Sequence, residues 1–270
     1  MTQATGFDVT VGSGPGYLAV PSGTGPWPGV VVIHESWGLN TDIRASTHRL
    51  GSAGYLALAP DLYEGRSFVR CFRGVFRQLH AGSGPVFDAI DAVRTALTDR
   101  PDCTGKVGVL GFCMGGGFAL LCAPRGEFSA ASVNYGEVPD DAERVLAGSC
   151  PMVASYGGRD LMGAAPPRRL ETALTALDVA HDVKVYPGAG HSFMSPKPAW
   201  LTPLARLARL DFKPEAADDS WHRILAFFGE HLGAIFPVNG PDVGVMDHYG
   251  QWNLMCRRTT DGPPDNRHHR

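Results

Sequence analysis

A run of four β-branched residues, Val30 to Ile33, limits the folds that this chain can adopt. The run lacks the polar–apolar alternation of a strand with one wet face, so it is typical of a strand that is buried on both faces. Further short apolar strands follow it, and they alternate with helix-like segments as far as residue 232. This alternation predicts an α/β fold in which a mostly parallel central sheet carries helices on both faces.

Periodicity and turn residues predict the individual elements. A hairpin of Phe7–Val11 and Tyr17–Val20 precedes the buried strand, and an amphipathic helix at Trp221–Leu232 closes the fold. The remaining strands are expected at Tyr55–Ala59, Lys106–Leu110, Ala131–Asn134, Met152–Tyr156 and His181–Tyr186. The remaining helices are expected at residues 42–52, 66–80, 86–97, 114–122, 140–146 and 166–177.

Length and composition favour a single domain. The chain has 270 residues, of which 44% are hydrophobic, and this is enough apolar material for one full core. We predict an α/β domain at residues 1–236 and a C-terminal extension at 237–270. The polar end of that extension, residues 257–270, is expected to be disordered.

Charge and cysteine content exclude several classes of function. The net charge of −3 provides no basic excess for nucleic-acid binding. No apolar run approaches the roughly 18 residues that a membrane span needs, and no signal peptide is expected at the N-terminus. The six cysteines are scattered, which favours reduced thiols in the cytoplasm. We expect a small-molecule substrate, no metal, no cofactor, and a monomer or small homo-oligomer.

The most informative motif is Gly111-Phe112-Cys113-Met114-Gly115, which follows a predicted strand and opens a predicted helix. This is the nucleophile-elbow pattern with cysteine in the serine position. Flanking glycines permit the tight turn that pushes the side chain out at the carboxyl end of the strand. The helix N-terminus favours a thiolate, and the Met114 N–H can bind an oxyanion. The alternative is a glycine-rich turn with a buried, inert cysteine.

Two further candidates follow later predicted strands. Asp160 follows the strand that ends at Tyr156, and His191 follows the strand that ends at Tyr186. The carboxyl ends of parallel strands are where sites form in such sheets, and the chain order of nucleophile, acid and histidine is that of the α/β-hydrolases. Taken alone, Asp160 could cap a helix and His191 could be a turn histidine.

The loop after the first buried strand begins His34-Glu35-Ser36-Trp37. The hydrolase fold takes its second oxyanion donor from this loop, and the Ser36 N–H is the candidate here. Glu35 is a carboxylate at a strand end, where it can be buried beside the nucleophile. The alternative is that His34 and Glu35 are loop residues whose polar atoms bond to backbone or water.

Together these motifs resemble the dienelactone hydrolase (carboxymethylenebutenolidase) family of α/β-hydrolases, over about residues 25–232. The resemblance implies that Cys113 is the nucleophile, His191 the base and Asp160 the residue that orients it. It also implies that Glu35 takes the thiol proton when substrate arrives. It rests on five segments: His34-Glu35-x-Trp37-Gly38-x-Asn40, Ala59-Pro60-Asp61-Leu62-Tyr63, Gly111-x-Cys113-x-Gly115-Gly116, Gly157-Gly158-x-Asp160 and Gly188-x-Gly190-His191-Ser192-Phe193.

Substrate binding is where the chain departs from the family pattern. The family often has an arginine two residues after the His-Ser-Phe motif, where it pairs with the glutamate and holds a substrate carboxylate, but this chain has Ser195. The resemblance points to Arg70 as another group for such a carboxylate, although a solvated basic helix face explains Arg70 equally well. Trp37 and Phe193 are expected to wall the pocket, or else to be plain packing residues.

Arg70 lies in the segment 66–80, which has the pattern of an amphipathic helix. Its apolar face is expected to consist of Val69, Phe72, Phe76 and Leu79. Its opposite face is expected to consist of Arg66, Arg70, Arg73 and Arg77.

These features predict a hydrolase of small lactones or esters that acts through a Cys-His-Asp triad and an acyl-enzyme, with a carboxylate on the substrate. Two alternatives stay open. One is a broad carboxylesterase that acts on neutral esters, and the other is a catalytically idle hydrolase fold that binds a partner through residues 236–256.

Overall fold

The strands of the central sheet come from the whole length of the predicted domain. The computed structural model describes residues 3–12, 14–161, 167–196, 204, 207–233, 245–246 and 252–253. Eight strands form the sheet: β1 (Ala4–Val11), β2 (Gly14–Pro21), β3 (Trp27–Ile33), β4 (Leu56–Pro60), β5 (Cys103–Phe112), β6 (Ala130–Asn134), β7 (Met152–Gly157) and β8 (His181–Tyr186). Their order across the sheet is β1-β2-β4-β3-β5-β6-β7-β8.

Strand direction divides this sheet into two parts. The hairpin of β1 and β2 is antiparallel, and β2 also pairs antiparallel with β4. From β4 to β8 every neighbouring pair is parallel. The prediction of a mostly parallel sheet is therefore confirmed, and the carboxyl ends of its parallel strands lie along one edge.

Seven α-helices connect or follow these strands. They are α1 (Thr41–Ser52), α2 (Phe68–Ala81), α3 (Pro85–Thr98), α4 (Met114–Cys122), α5 (Ala142–Val145), α6 (Pro167–Ala176) and α7 (Pro214–Leu232) in the part of the chain that the structure describes. A 3-10 turn at Ala123–Arg125 follows α4. The last helix begins seven residues before the predicted Trp221, because Pro214 occupies its first turn.

The core has two layers, one on each face of the sheet. Val31 and Ile33 of β3 pack on the face that α2, α3, α4 and α6 cover, whereas Val30 and Val32 pack on the face that α1 and α7 cover. All four side chains are fully buried. Burying each such side chain contributes about 1.5–3 kcal/mol, so this strand anchors both layers and fixes the loop that follows it.

The apolar face of α2 is only partly buried. Val69, which belongs to that face, is 81% exposed. The residues of α2 that are buried are Val75 and Leu79. The side of α2 that meets the core is therefore the side of Val75 and Leu79, and Val69 lies away from it.

The predicted extension at 237–270, including the end expected to be disordered, lies outside the described residues except for two short strands. These are β9 (Val245–Met246) and β10 (Trp252–Asn253), which pair antiparallel. The helices in the described part of the chain lack the length and the apolar character of a membrane span. The same residues include no cluster of three or more His, Cys, Asp and Glu that could hold a metal ion.

Candidate active site

Cys113 lies on a tight turn between β5 and α4. Its backbone has φ 54° and ψ −116°, and its N–H donates to the carbonyl oxygen of Asn134 at 2.9 Å. A Cβ added at Gly111 would overlap the carbonyl oxygen of Gly115, and a Cβ added at Gly115 would overlap the carbonyl oxygen of Ile33. Both glycines are therefore required by close backbone approach, as the elbow motif predicts.

The thiol of Cys113 lies at the start of α4. The residue is partly exposed, so a small molecule can approach it. Met114 is the first residue of α4. Its N–H therefore has no partner within the helix and is available to an oxyanion, and the helix dipole favours negative charge at this point.

His191 and Asp160 are paired beside this turn. The Nδ1 atom of His191 lies 2.7 Å from Oδ2 of Asp160, and both side chains are buried. Asp160 follows β7 and His191 follows β8, so each comes from the carboxyl end of its strand. The two loops fit together because a side chain at Gly157 would overlap the carbonyl oxygen of Gly190.

Burial and charge act in opposite directions on His191. Burial lowers its pKa, but the hydrogen bond with Asp160 and the interaction with Cys113 outweigh burial and raise the pKa to about 10. Its Nε2 atom is buried and has no well-aligned hydrogen-bond partner among the described residues. Asp160 therefore favours the protonated imidazole once a proton arrives, and Nε2 is the nitrogen that can exchange a proton with the thiol or a reacting group.

Glu35 is the centre of a buried polar cluster behind the triad residues. It is 4% exposed, and its Oε1 atom accepts hydrogen bonds from Ser195 Oγ at 2.9 Å and from the Tyr135 hydroxyl at 3.1 Å. Burial and the charge of Glu35 raise the pKa of Tyr135 well above its usual value, so the phenol stays protonated and donates. The Tyr135 ring also lies edge-on to His191, with 5.2 Å between ring centroids.

Tyr135 is not among the residues that the sequence predicted for the site. Ser195 was noted only because it stands where the family often has an arginine. Tyr135 directly follows β6, at the same edge of the sheet as Cys113, Asp160 and His191. Its position directly after a parallel strand is the same signal that identified Asp160, and it identifies Tyr135 as a candidate as well. Ser195 is buried and donates to Glu35, so a hydroxyl now fills the place beside the glutamate.

Three of the six non-glycine residues with positive φ in the described part of the chain lie at this site. Cys113, Tyr135 and Ser192 have φ values of 54°, 43° and 53°. Residues other than glycine rarely adopt such positive φ values. Each such residue costs roughly 1–3 kcal/mol and persists only where the surrounding structure holds it. All three residues adjoin His191: the Tyr135 ring packs edge-on to it, Cys113 interacts with it, and Ser192 follows it in the chain. Strain of this kind clusters at active sites.

A second set of hydrogen bonds fixes the loop that carries Ser36. The Nδ1 atom of His34 donates to the carbonyl oxygen of Glu35 at 2.6 Å, and Nε2 accepts from the Leu62 N–H at 3.0 Å. Burial lowers the pKa of His34, so it is neutral in the fold. The Tyr63 hydroxyl donates to the carbonyl oxygen of Ser36 at 2.8 Å. His34 therefore has the structural role that the sequence left open.

The predicted substrate-binding residues have different surroundings. Trp37 is 67% exposed, and its ring lies 5.2 Å from that of Phe68. Phe193 has no exposed surface and packs against Tyr135 and Tyr186, which favours the packing alternative for this residue. Arg70 is exposed on α2, and its role as a carboxylate ligand stays a prediction.

A cysteine at a nucleophile elbow, in a mostly parallel sheet whose later strands carry an aspartate and a histidine, defines the class as an α/β-hydrolase. The model of the dienelactone hydrolase family matches residues 15–232. The chain belongs to the dienelactone hydrolase family, and it is a hydrolase.

Individual relatives agree with this assignment. A Yersinia pestis protein provisionally named a carboxymethylenebutenolidase is 30% identical over 247 residues, which cover 83% of this chain and 86% of that protein. A crystal structure from Klebsiella pneumoniae, provisionally named a dienelactone hydrolase, is 25% identical with a TM-score of 0.68, covering 84% of this chain and 99% of that one. The crystal structure of a dienelactone hydrolase-like promiscuous phosphotriesterase from metagenomic libraries is 25% identical with a TM-score of 0.71. The match covers 86% of this chain and 100% of that one.

Proposed function

We propose that the protein hydrolyses small lactones or esters through an acyl-enzyme on Cys113, with His191 and Asp160 completing the triad. The observation that carries this proposal is the 2.7 Å pair of Asp160 and His191, set beside a strained, partly exposed cysteine at the start of a helix. The pKa of His191 is raised in part by Cys113, which supports a working interaction between them.

The proposed reaction has two halves. The Cys113 sulfur attacks the carbonyl carbon, and the Met114 and Ser36 N–H groups bind the oxyanion, each contributing roughly 3–4 kcal/mol in comparable sites. The tetrahedral intermediate expels the alcohol, which takes a proton from His191, and a thioester remains. His191 then removes a proton from water, the water attacks the thioester, and the acid and the Cys113 sulfur are released.

Two residues could accept the thiol proton in this scheme. The family resemblance assigns that step to Glu35, which is buried and hydrogen-bonded to Ser195 and Tyr135. The raised pKa of His191 supports His191 as a direct acceptor. We therefore propose His191 as the principal acceptor and Glu35 as an auxiliary one. If His191 is the principal acceptor, a Glu35→Gln variant should keep a measurable rate of acylation. If Glu35 were the principal acceptor, the acylation rate of Glu35→Gln would fall as far as that of His191→Ala.

The substrate class depends on Ser195. A neutral hydroxyl beside Glu35 supports a second candidate function, the hydrolysis of neutral esters, over that of carboxylate-bearing lactones. If Arg70 holds a substrate carboxylate, Arg70→Ala should raise KM for anionic substrates alone. An equal effect on neutral esters would remove Arg70 from the substrate site.

The experiment for the proposed function is steady-state hydrolysis of a dienelactone and of 4-nitrophenyl acetate. Cys113→Ala should abolish both activities, while Cys103→Ala, which removes another partly exposed thiol at the far end of β5, should abolish neither. Turnover of the ester without the lactone would favour neutral substrates. Full activity in Cys113→Ala would overturn the proposal, and a wild type that hydrolyses neither substrate would favour the binding-module alternative.

The proposal extends to the setting in which the enzyme works. The scattered cysteines support a cytoplasmic location. We expect a small-molecule substrate, no nucleic-acid or membrane partner, and a monomer or small homo-oligomer. Sedimentation of the purified chain tests the last point, since a large assembly would contradict it.

A further inference from the structure

Four aromatic side chains form a continuous strip along one side of α2, which we name the aromatic strip. Its members are Trp37, Phe68, Phe72 and Phe76. Successive ring centroids are 5.2, 4.9 and 4.4 Å apart. Trp37 is 67% exposed and the three phenylalanines are half-buried, so the strip presents aromatic surface to solvent.

Core packing does not account for the whole strip. The helix is anchored by Val75 and Leu79, which are buried. Phe68 and Phe76 pack against the buried core, but among the described residues Phe72 belongs to neither core cluster. Val69, beside the strip, is 81% exposed. Contiguous apolar surface that faces solvent can mark a ligand-binding groove.

One end of the strip adjoins the proposed oxyanion site. Trp37 directly follows Ser36, and the Phe68 ring lies 6.1 Å from the ring of Tyr63. The Tyr63 hydroxyl donates to the Ser36 carbonyl oxygen and lies 3.8 Å from the sulfur of Met114, the residue after the nucleophile. The strip then continues from Phe68 to Phe76, which is about 12 Å along a helix that rises 1.5 Å per residue.

We propose that the aromatic strip binds an extended apolar part of the substrate, an aryl or long alkyl group that projects from the scissile carbonyl. This inference rests on the proposed function, because the nucleophile sets where the carbonyl lies. The rings are tilted against each other by 33°, 59° and 43°, so they offer both faces and edges to an aromatic ligand. The enzyme then favours esters with long or aromatic groups over acetate esters.

The test compares two esters in matched variants. The two esters are 4-nitrophenyl acetate and 4-nitrophenyl 4-phenylbutanoate, which share the leaving group and differ only in the phenyl-bearing acyl chain, so a difference between them reports on that chain. Phe72→Ala should lower kcat/KM for the phenylbutanoate about 2- to 12-fold, which corresponds to about 0.5–1.5 kcal/mol for one aromatic contact, and should leave the acetate within about 2-fold. Phe7→Ala, which removes a phenylalanine 47% exposed on β1, should change neither ester.

Three results would overturn the inference. An equal loss on both esters would mean that Phe72 only supports the site, and no loss on either would mean that the strip binds nothing. A dimer in sedimentation that Phe72→Ala dissociates, with both esters affected alike, would make the strip an interface between copies.

Failure of the proposed function gives a different result. In that case Cys113→Ala keeps its activity, or the wild type hydrolyses neither ester. Calorimetric binding of 4-phenylbutanoate to the wild type and to Phe72→Ala then decides the role of the strip without turnover. Binding weakened by the same factor in Phe72→Ala supports the strip, and unchanged or absent binding overturns it.

Discussion

Removing one hydroxyl from the buried cluster tests how the site is held together. In Tyr135→Phe the ring stays against His191 and Phe193, so packing is preserved. The change deletes the hydrogen bond to Oε1 of Glu35, and the donor from Ser195 remains. The matched control is Tyr186→Phe, which deletes a hydroxyl that donates to Asp219 at 2.6 Å and accepts a longer bond from Arg223 at 3.4 Å.

The two losses should differ because the two carboxylates differ in burial. A hydrogen bond to a charged group contributes about 1.5–3 kcal/mol, and a buried acceptor that loses it cannot recover the bond from water. Glu35 is 4% exposed, so Tyr135→Phe should lower the free energy of unfolding by about 1.5–3 kcal/mol. Asp219 is 45% exposed, so water replaces the lost donor and Tyr186→Phe should cost less than about 1 kcal/mol.

Urea denaturation at neutral pH measures both free energies, and unchanged m-values would show that the unfolded states are comparable. The expected result is a loss in Tyr135→Phe that exceeds the loss in Tyr186→Phe by about 1 kcal/mol or more. A loss in Tyr135→Phe no larger than that in Tyr186→Phe would refute the reasoning, because burial would then not control the strength of the bond.

Three further predictions concern the triad, a buried histidine and the elbow. Asp160→Asn removes a group that raises the pKa of His191, so kcat/KM should fall about 10³- to 10⁴-fold in ester assays while the fold survives; a loss under tenfold would exclude the orienting role. Because burial lowers the pKa of His34 below 6.5, the unfolded state binds more protons in acid; unfolding free energy should fall below pH 6.5 by up to about 1.4 kcal/mol per unit, and less steeply in His34→Gln. Equal slopes would contradict this. Gly115→Ala should destabilise the fold by about 1–3 kcal/mol in urea titrations, whereas Gly74→Ala, in open space on α2, should stabilise it by about 0.5–1 kcal/mol; equal effects would show that close approach at the elbow is unimportant.

The parts of the fold that sequence predicted are those set by local pattern. The β-branched run of β3 and the glycines around Cys113 express constraints within a few residues of each other, namely burial on both faces and a turn without room for Cβ atoms. Such local constraints can be recognised from the residue types at neighbouring positions of the sequence. The order of Asp160 and His191 after β7 and β8 was predictable because parallel strands end at one edge.

The parts that sequence could not predict depend on distant partners. Tyr135 donates to Glu35 across 100 positions of the chain, and Ser195 does so across 160. Neither contact has a local pattern. Helical periodicity placed Val69 on the apolar face of α2, but which part of a broad apolar face meets the core is decided by the neighbouring elements. The burial of Phe193 also depends on distant residues, because its ring packs against those of Tyr135 and Tyr186.

The central claim, that Cys113 carries the acyl group, is tested most directly by rapid acid quenching of the enzyme during turnover of 4-nitrophenyl acetate, followed by mass spectrometry of its peptides. We expect one acetyl group on the peptide that contains Cys113, and no acetyl group on that peptide in Cys113→Ala. Turnover that proceeds without acetylation of Cys113, or acetylation confined to another cysteine, would contradict the claim.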